Sequence, residues 1–129
     1  MSDDDRMPAD IEPATLLTLR AFLEKVAKRR ITIAYQELAN ALQFLPPRSI
    51  HRVTEALEYL MEEDASANRP FIAALAISKA RGGLPGAGFF DRARSLGRFA
   101  GDSDGQDDAA FHAAELNAVF ARWGDVRDN

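Results

Sequence analysis

The chain has no cysteine, and that absence removes a large share of protein chemistry. Disulfides, thiol nucleophiles, thiolate zinc sites and cysteine-held iron–sulfur clusters are all excluded. Histidine is nearly as scarce: His51 and His112 stand alone and far apart. No apolar run approaches the roughly 20 residues of a membrane span. The N-terminus is acidic and lacks the basic and apolar regions of a signal peptide, so the expected setting is the cytoplasm. What is present fits one soluble domain: 129 residues, 47% hydrophobic and 28% charged.

Net charge is −4, but it is unevenly placed. Residues 13–100 carry 13 Lys/Arg against 8 Asp/Glu, a balance of +5, whereas the two ends carry −9. The acidic ends are Ser2-Asp3-Asp4-Asp5 with Asp10 and Glu12, and the run Asp102, Asp104, Asp107 and Asp108. Such runs read as solvated tails and linkers. A pI of 5.1 argues against a strong non-specific nucleic-acid binder and leaves room for a local contact face.

Residues 1–12 read as a loose acidic leader, and 13–129 as a single domain. Pro13 suits a helix's first turn, and Leu16, Leu19, Leu23 and Val26 continue at helical spacing up to Lys28-Arg29-Arg30. Ile31–Ala34 has strand composition. Tyr35–Leu42 returns to a helix, and Phe44-Leu45-Pro46-Pro47 breaks it. The segment 47–63 is a helix with the apolar stripe Ile50, Val53, Leu57, Leu60 and Met61, ended by Glu62-Glu63-Asp64. Pro70–Ser78 is nearly all apolar and of strand length, the pattern of a strand buried on both faces. Gly82–Gly88 must be a loop, 89–99 a short helix, and Phe111, Leu116, Val119, Phe120 and Trp123 mark a terminal helix that has to pack on the body or on a second copy.

This order predicts a mainly α fold with a small β-sheet from 31–34 and 70–78. It is the order of a winged helix-turn-helix with a degenerate wing and extra C-terminal helices. A helix over 70–78 would rule that fold out. Segment 47–63 takes the recognition-helix position, with Arg48, His51 and Arg52 near its start, while Lys79 and Arg81 precede the glycine loop in the wing's place. Arginine's fork and a helix N-terminus both suit phosphate or base contact. The second half of the same helix turns acidic at Glu55, Glu58, Glu62 and Glu63, which opposes deep entry into a groove. A solvated helix face with no nucleic-acid role fits the same residues.

Catalytic signatures fail one by one. A phosphate loop needs Lys and Ser/Thr after its last glycine, but Phe89-Phe90 follow Gly88. The dinucleotide fingerprint lacks its third glycine. His112 and Glu115 share a helix face, yet no second such pair exists for a carboxylate metal site, so they read as a helix-surface pair. The expectation is a non-enzymatic module without cofactor or metal, its partner nucleic acid or another protein.

Two resemblances attach to these residues. Ile33-Ala34-Tyr35-Gln36-Glu37-Leu38-Ala39, then Arg52-Val53, then Arg69-Pro70-Phe71, resemble the DNA-binding domain of alkylguanine-DNA alkyltransferases and alkyltransferase-like proteins. The likeness covers about 31–73 and implies a winged helix in which Arg52 matches an arginine that enters the base stack. Phe71, Ile72 and Ala73 stand where that family has Cys, His and Arg, so alkyl transfer has no acceptor thiolate. More of the chain is similar to a group of small bacterial and phage-associated proteins of unassigned function. The matching pieces are Tyr35–Leu38, Arg69-Pro70 with the strand through Lys79, Gly83–Phe90, and the residues Phe111 to Trp123. That likeness implies a bacterial cytoplasmic protein and no activity.

Overall fold

The computed structural model describes residues 11–100 and 106–125. Five helices surround a two-strand sheet: α1 (Pro13–Lys28), β1 (Ile33–Ala34), α2 (Tyr35–Ala41), α3 (Ser49–Ser66), β2 (Ala76–Ile77), α4 (Ala87–Ser95) and α5 (Gln106–Trp123). Single turns of 3₁₀ helix lie at Ile72–Leu75 and Lys79–Arg81. The strands run parallel, Ile33 opposite Ala76 and Ala34 opposite Ile77.

Local signals explain most boundaries. Pro13 opens α1, where its missing N–H is no loss. At the start of α2 the Glu37 carboxylate accepts the Ala34 N–H at 3.2 Å, satisfying a donor the helix cannot. Helices α1 to α4 are each followed by a left-handed residue, in order Arg30, Gln43, Asn68 and Gly97. After α2 to α4 the next amide bonds back to a carbonyl of the last turn, Phe44 N to Ala39 O, Arg69 N to Asp64 O and Arg98 N to Ala93 O. Asp107 and Asp108, expected in an acidic linker, instead form the first turn of α5, where negative charge meets the positive end of the helix dipole. Asp102 and Asp104 lie outside the described residues.

Residues 70–78 depart from the sequence reading. Only Ala76–Ile77 is strand, and Ile72–Leu75 coils into a 3₁₀ turn. The burial is as expected, Phe71 to Ala76 being inaccessible, but a ladder is not what satisfies this backbone. The Asp64 carboxylate accepts Ile72 N–H at 3.0 Å and the Glu115 carboxylate accepts Phe71 N–H at 2.7 Å. Side-chain acceptors thus replace the strand partner that an extended segment would need. Strand 31–34 likewise shrinks to 33–34, with Ile31 exposed. Other differences are smaller. The helix expected over 89–99 occupies 87–95, Ile11 at the end of the leader is buried, Ile50 is exposed rather than in the stripe, and Leu42, Ile77 and Trp123 are half-buried.

The core is built on Leu19, Leu23, Leu38, Val53, Leu60, Phe71 and Leu75. Beside it Phe71, Phe89, Phe90, Phe99 and Phe111 form an aromatic cluster, with Phe99 stacked on Phe111 at 4.5 Å. This cluster and Val119 seat α5 on the body.

Candidate functional site

The buried polar groups decide which charges remain for a ligand. Asp64 has no exposed surface and accepts from Arg20 at 2.9 Å, Arg69 Nε at 2.9 Å and Ile72 N. Glu115 accepts from Arg98 at 2.9 Å and from Phe71 N, while Arg98 stacks over the Phe71 ring at 4.1 Å and donates to Arg69 O. His112 Nε2 lies 2.9 Å from the Ala74 carbonyl, so this nitrogen carries the proton. Burial lowers the His112 pKa, against the opposing pull of that carbonyl and of Glu115. His112 and Glu115 are therefore not a surface pair. Together with Asp108 and Val119 they form the buried stripe of α5, spaced 108, 112, 115, 119. Their role is to hold the turn 71–74.

These contacts and their neighbours absorb arginine. Arg20, Arg69, Arg92, Arg94 and Arg98 all face carboxylates, with Arg92 on Glu62 and Arg94 on Asp91 and Asp108. Among the described residues, no carboxylate pairs with Arg48, Lys79 or Arg81. Nor does one pair with Lys25, Lys28, Arg29 or Arg30 at the end of α1, so the positive excess of the body is shared between that segment and the positions singled out from the sequence.

Each of those residues has a distinct setting. Arg48 is exposed at the N-cap of α3. His51, one turn on, sits 3.3 Å from Glu55, an i, i+4 pair on the exposed face. Arg52 is half-buried with its guanidinium 4.3 Å over the Phe44 ring, which anchors the α2–α3 turn. Lys79 is exposed on the 3₁₀ turn after β2. Arg81 donates to the Pro85 carbonyl at 2.9 Å, so part of its guanidinium closes the glycine loop. That loop turns on Gly82 and Gly83 at φ +70° and +92°, values that favour glycine, and one antiparallel bridge joins Ser78 to Leu84.

An open cleft of about 270 Å³ connects two of these regions. It is lined by Tyr35 and Gln36 from the start of α2, Ile50 from the first turn of α3, and Ile77, Ser78 and Lys79 at the end of β2. The sheet makes this possible, because pairing of Ala34 with Ile77 brings the start of α2 beside the residues leading to Lys79. Arg48 and His51 flank Ile50 in sequence; Arg52 turns toward Phe44.

A second space shares Tyr35 with this one. Tyr35, Thr54, Leu57, Glu58, Met61 and Phe89 line a crevice with room for about 10 Å³, the space of one water. The Tyr35 hydroxyl there accepts the Gly86 N–H at 2.8 Å. Burial raises the pKa of both Tyr35 and Glu58, and Arg92 pulls Glu58 the other way. Among the described residues, no group of three or more His, Asp or Glu is placed to hold a metal ion, and no helix is long and apolar enough to cross a membrane. No family model, curated protein or solved structure matches the chain.

Proposed function

We propose that this protein is a non-enzymatic helix-turn-helix module of winged-helix type that contacts nucleic acid. The contact surface is the start of α3 together with the loop 79–88. The observation that carries this reading is the charge inventory: carboxylates neutralise Arg20, Arg69 and Arg98, while among the described residues none pairs with Lys79, which lines the cleft, or with Arg48 and Arg81, each two residues in sequence from a lining residue. Helices α2 and α3 supply the helix-turn-helix, and Arg52 on Phe44 stiffens its turn. The strand Ala76–Ile77 and the Ser78–Leu84 bridge stand for a reduced wing. The local resemblance of 31–73 to alkyltransferase DNA-binding domains points the same way.

Because only a few cations face one way, the expected affinity at physiological salt is weak, roughly micromolar or poorer. A salt titration of binding to labelled DNA and RNA tests the reading. Arg48→Glu or Lys79→Glu weakens binding and lowers the salt slope by about one unit for each phosphate that is no longer neutralised. Absence of binding to every polyanion at low salt sinks it. The second reading is a protein-interaction module on the same scaffold, favoured by Leu17 and Leu45, which are 72% and 74% exposed.

A further inference from the structure

The cleft beside Lys79 has features that a contact to a duplex backbone does not need. Its lining is mostly apolar: Ala34, Tyr35, Ile50 and Ile77. Ile50 is 38% exposed, although its place in an amphipathic helix predicts a core position. The remainder is polar and hydrogen-bonding: Gln36, Ser78 and Lys79. The volume, about 270 Å³, falls below the roughly 300–1,000 Å³ of sites that take a whole small molecule, so it suits one unit of a larger ligand.

The surroundings argue against a duplex. A recognition helix must lie along a groove, yet α3 carries Glu55, Glu58, Glu62 and Glu63 beyond its first turn, of which Glu62 and Glu63 are paired with Arg92 and Arg20. Glu55 and Glu58 face phosphate with the wrong sign if the helix is inserted lengthwise. The reduced wing offers one bridge, Ser78 to Leu84, rather than a hairpin that could reach an adjacent groove. A flexible single strand avoids both problems. It can cross only the N-terminal end of α3, pass Lys79, and leave without meeting the acidic half.

We infer that the cleft seats one unpaired base of a single-stranded nucleic acid, held against Ile50, Ile77 and Tyr35 with its phosphate on Lys79. This rests on the nucleic-acid reading above and names the form of its ligand. Gln36 and Ser78 meet the polar edge of the base, and Arg48 and Arg81 meet neighbouring phosphates. Single-strand sites elsewhere combine the same two elements, a cationic track and an apolar or aromatic platform.

The test is fluorescence anisotropy of the full chain with four labelled ligands of equal length: single-stranded DNA, single-stranded RNA, duplex DNA, and an abasic deoxyribose-phosphate strand. At one salt concentration, at least one base-bearing single strand binds about tenfold tighter than the abasic strand, and tighter than the duplex. Whether DNA or RNA binds better identifies the sugar preferred, and either supports the inference. Ile50→Ser, at an exposed position, removes the tenfold advantage of the base-bearing strand over the abasic one. Equal binding of base-bearing and abasic strands, a duplex preference, or an inert Ile50→Ser overturns the base site while the cationic contact stands. Failure of all four ligands overturns the nucleic-acid reading itself.

Discussion

Replacing Asp64 by alanine removes the acceptor on which three donors converge in a site with no solvent access. Arg69, 28% exposed, loses its counter-charge, Arg20, 16% exposed, keeps only the exposed Glu63, and Ile72 N–H is left buried without its acceptor. Removing one partner of a buried ion pair costs about 3–5 kcal/mol, chiefly because the opposite charge remains behind. We expect about 4 kcal/mol for Asp64→Ala, a large part of the roughly 5–15 kcal/mol that keeps a domain folded. Asp64→Asn can keep its one oxygen for Ile72, but its NH2 then faces the Arg20 and Arg69 donors, so it should cost nearly as much, about 3–4 kcal/mol. Arg20 provides an internal control, since it also meets Glu63 at 3.1 Å, whose side chain is 51% exposed. Glu63→Ala should cost no more than about 1 kcal/mol. Urea unfolding reads all three: at a slope of about 2 kcal/mol/M, Asp64→Ala lowers the midpoint by about 2 M with the slope unchanged. Equal losses for Asp64→Ala and Glu63→Ala would refute the reasoning, because burial would then not be what makes Asp64 matter.

Ending the chain before α5 removes His112 and Glu115 from the turn they hold and uncovers the aromatic cluster, so a large drop in melting temperature is expected; unchanged melting would make the helix peripheral. Acidification should destabilise the fold through His112. Its folded pKa lies below the unfolded value near 6.5, so the unfolded state takes up the proton first and stability falls as pH drops from about 6.5 toward the depressed value. Comparison with His112→Gln checks this, because only the parent chain should lose stability in that window. Deleting residues 1–10 while keeping the buried Ile11 should tighten binding to nucleic acid by removing four aspartates, measured by the same salt titration on both chains.

The apolar periodicities make the helices legible. Val53, Leu57, Leu60 and Met61 can lie on one face only of a helix, and Pro46-Pro47 can only interrupt one. The 3₁₀ turn at Ile72–Leu75 is not legible, because its backbone partners are the carboxylates of Asp64 and Glu115, eight and more than forty residues away. A signal is nevertheless present. Asp64 continues the stripe after Leu57, Leu60 and Met61, and His112 and Glu115 fall in register with Val119. A polar residue on an apolar stripe is a buried residue with a partner, whereas a binary pattern treats it as the end of the helix. The acidic run at 107–108 reads as linker for a related reason: charge suggests solvent, but at a helix start it also answers the dipole. Of the candidate site, the cations are visible in the sequence. The cleft is not, since it depends on parallel pairing of two strands only two residues long.

The buried clamp and the cleft are joined through the backbone, and this gives the fold its logic. Glu115, Asp64 and His112 fix Phe71, Ile72 and Ala74; β2 begins two residues later, and Ile77, Ser78 and Lys79 follow directly into the cleft. Pairing of Ile77 with Ala34 then sets Lys79 opposite Ile50, while Tyr35 ties the same corner to Gly86. Helix α5 touches the turn and lines no part of the cleft. Its polar stripe nonetheless determines where the cleft's wall stands. Variants of α5 that keep the fold but loosen the turn, such as Glu115→Gln, should therefore weaken ligand binding at a distance, whereas Ile50 variants act on binding with little change in stability. A Glu115→Gln chain with lowered stability and undiminished affinity would separate the two systems and leave the clamp a purely structural device.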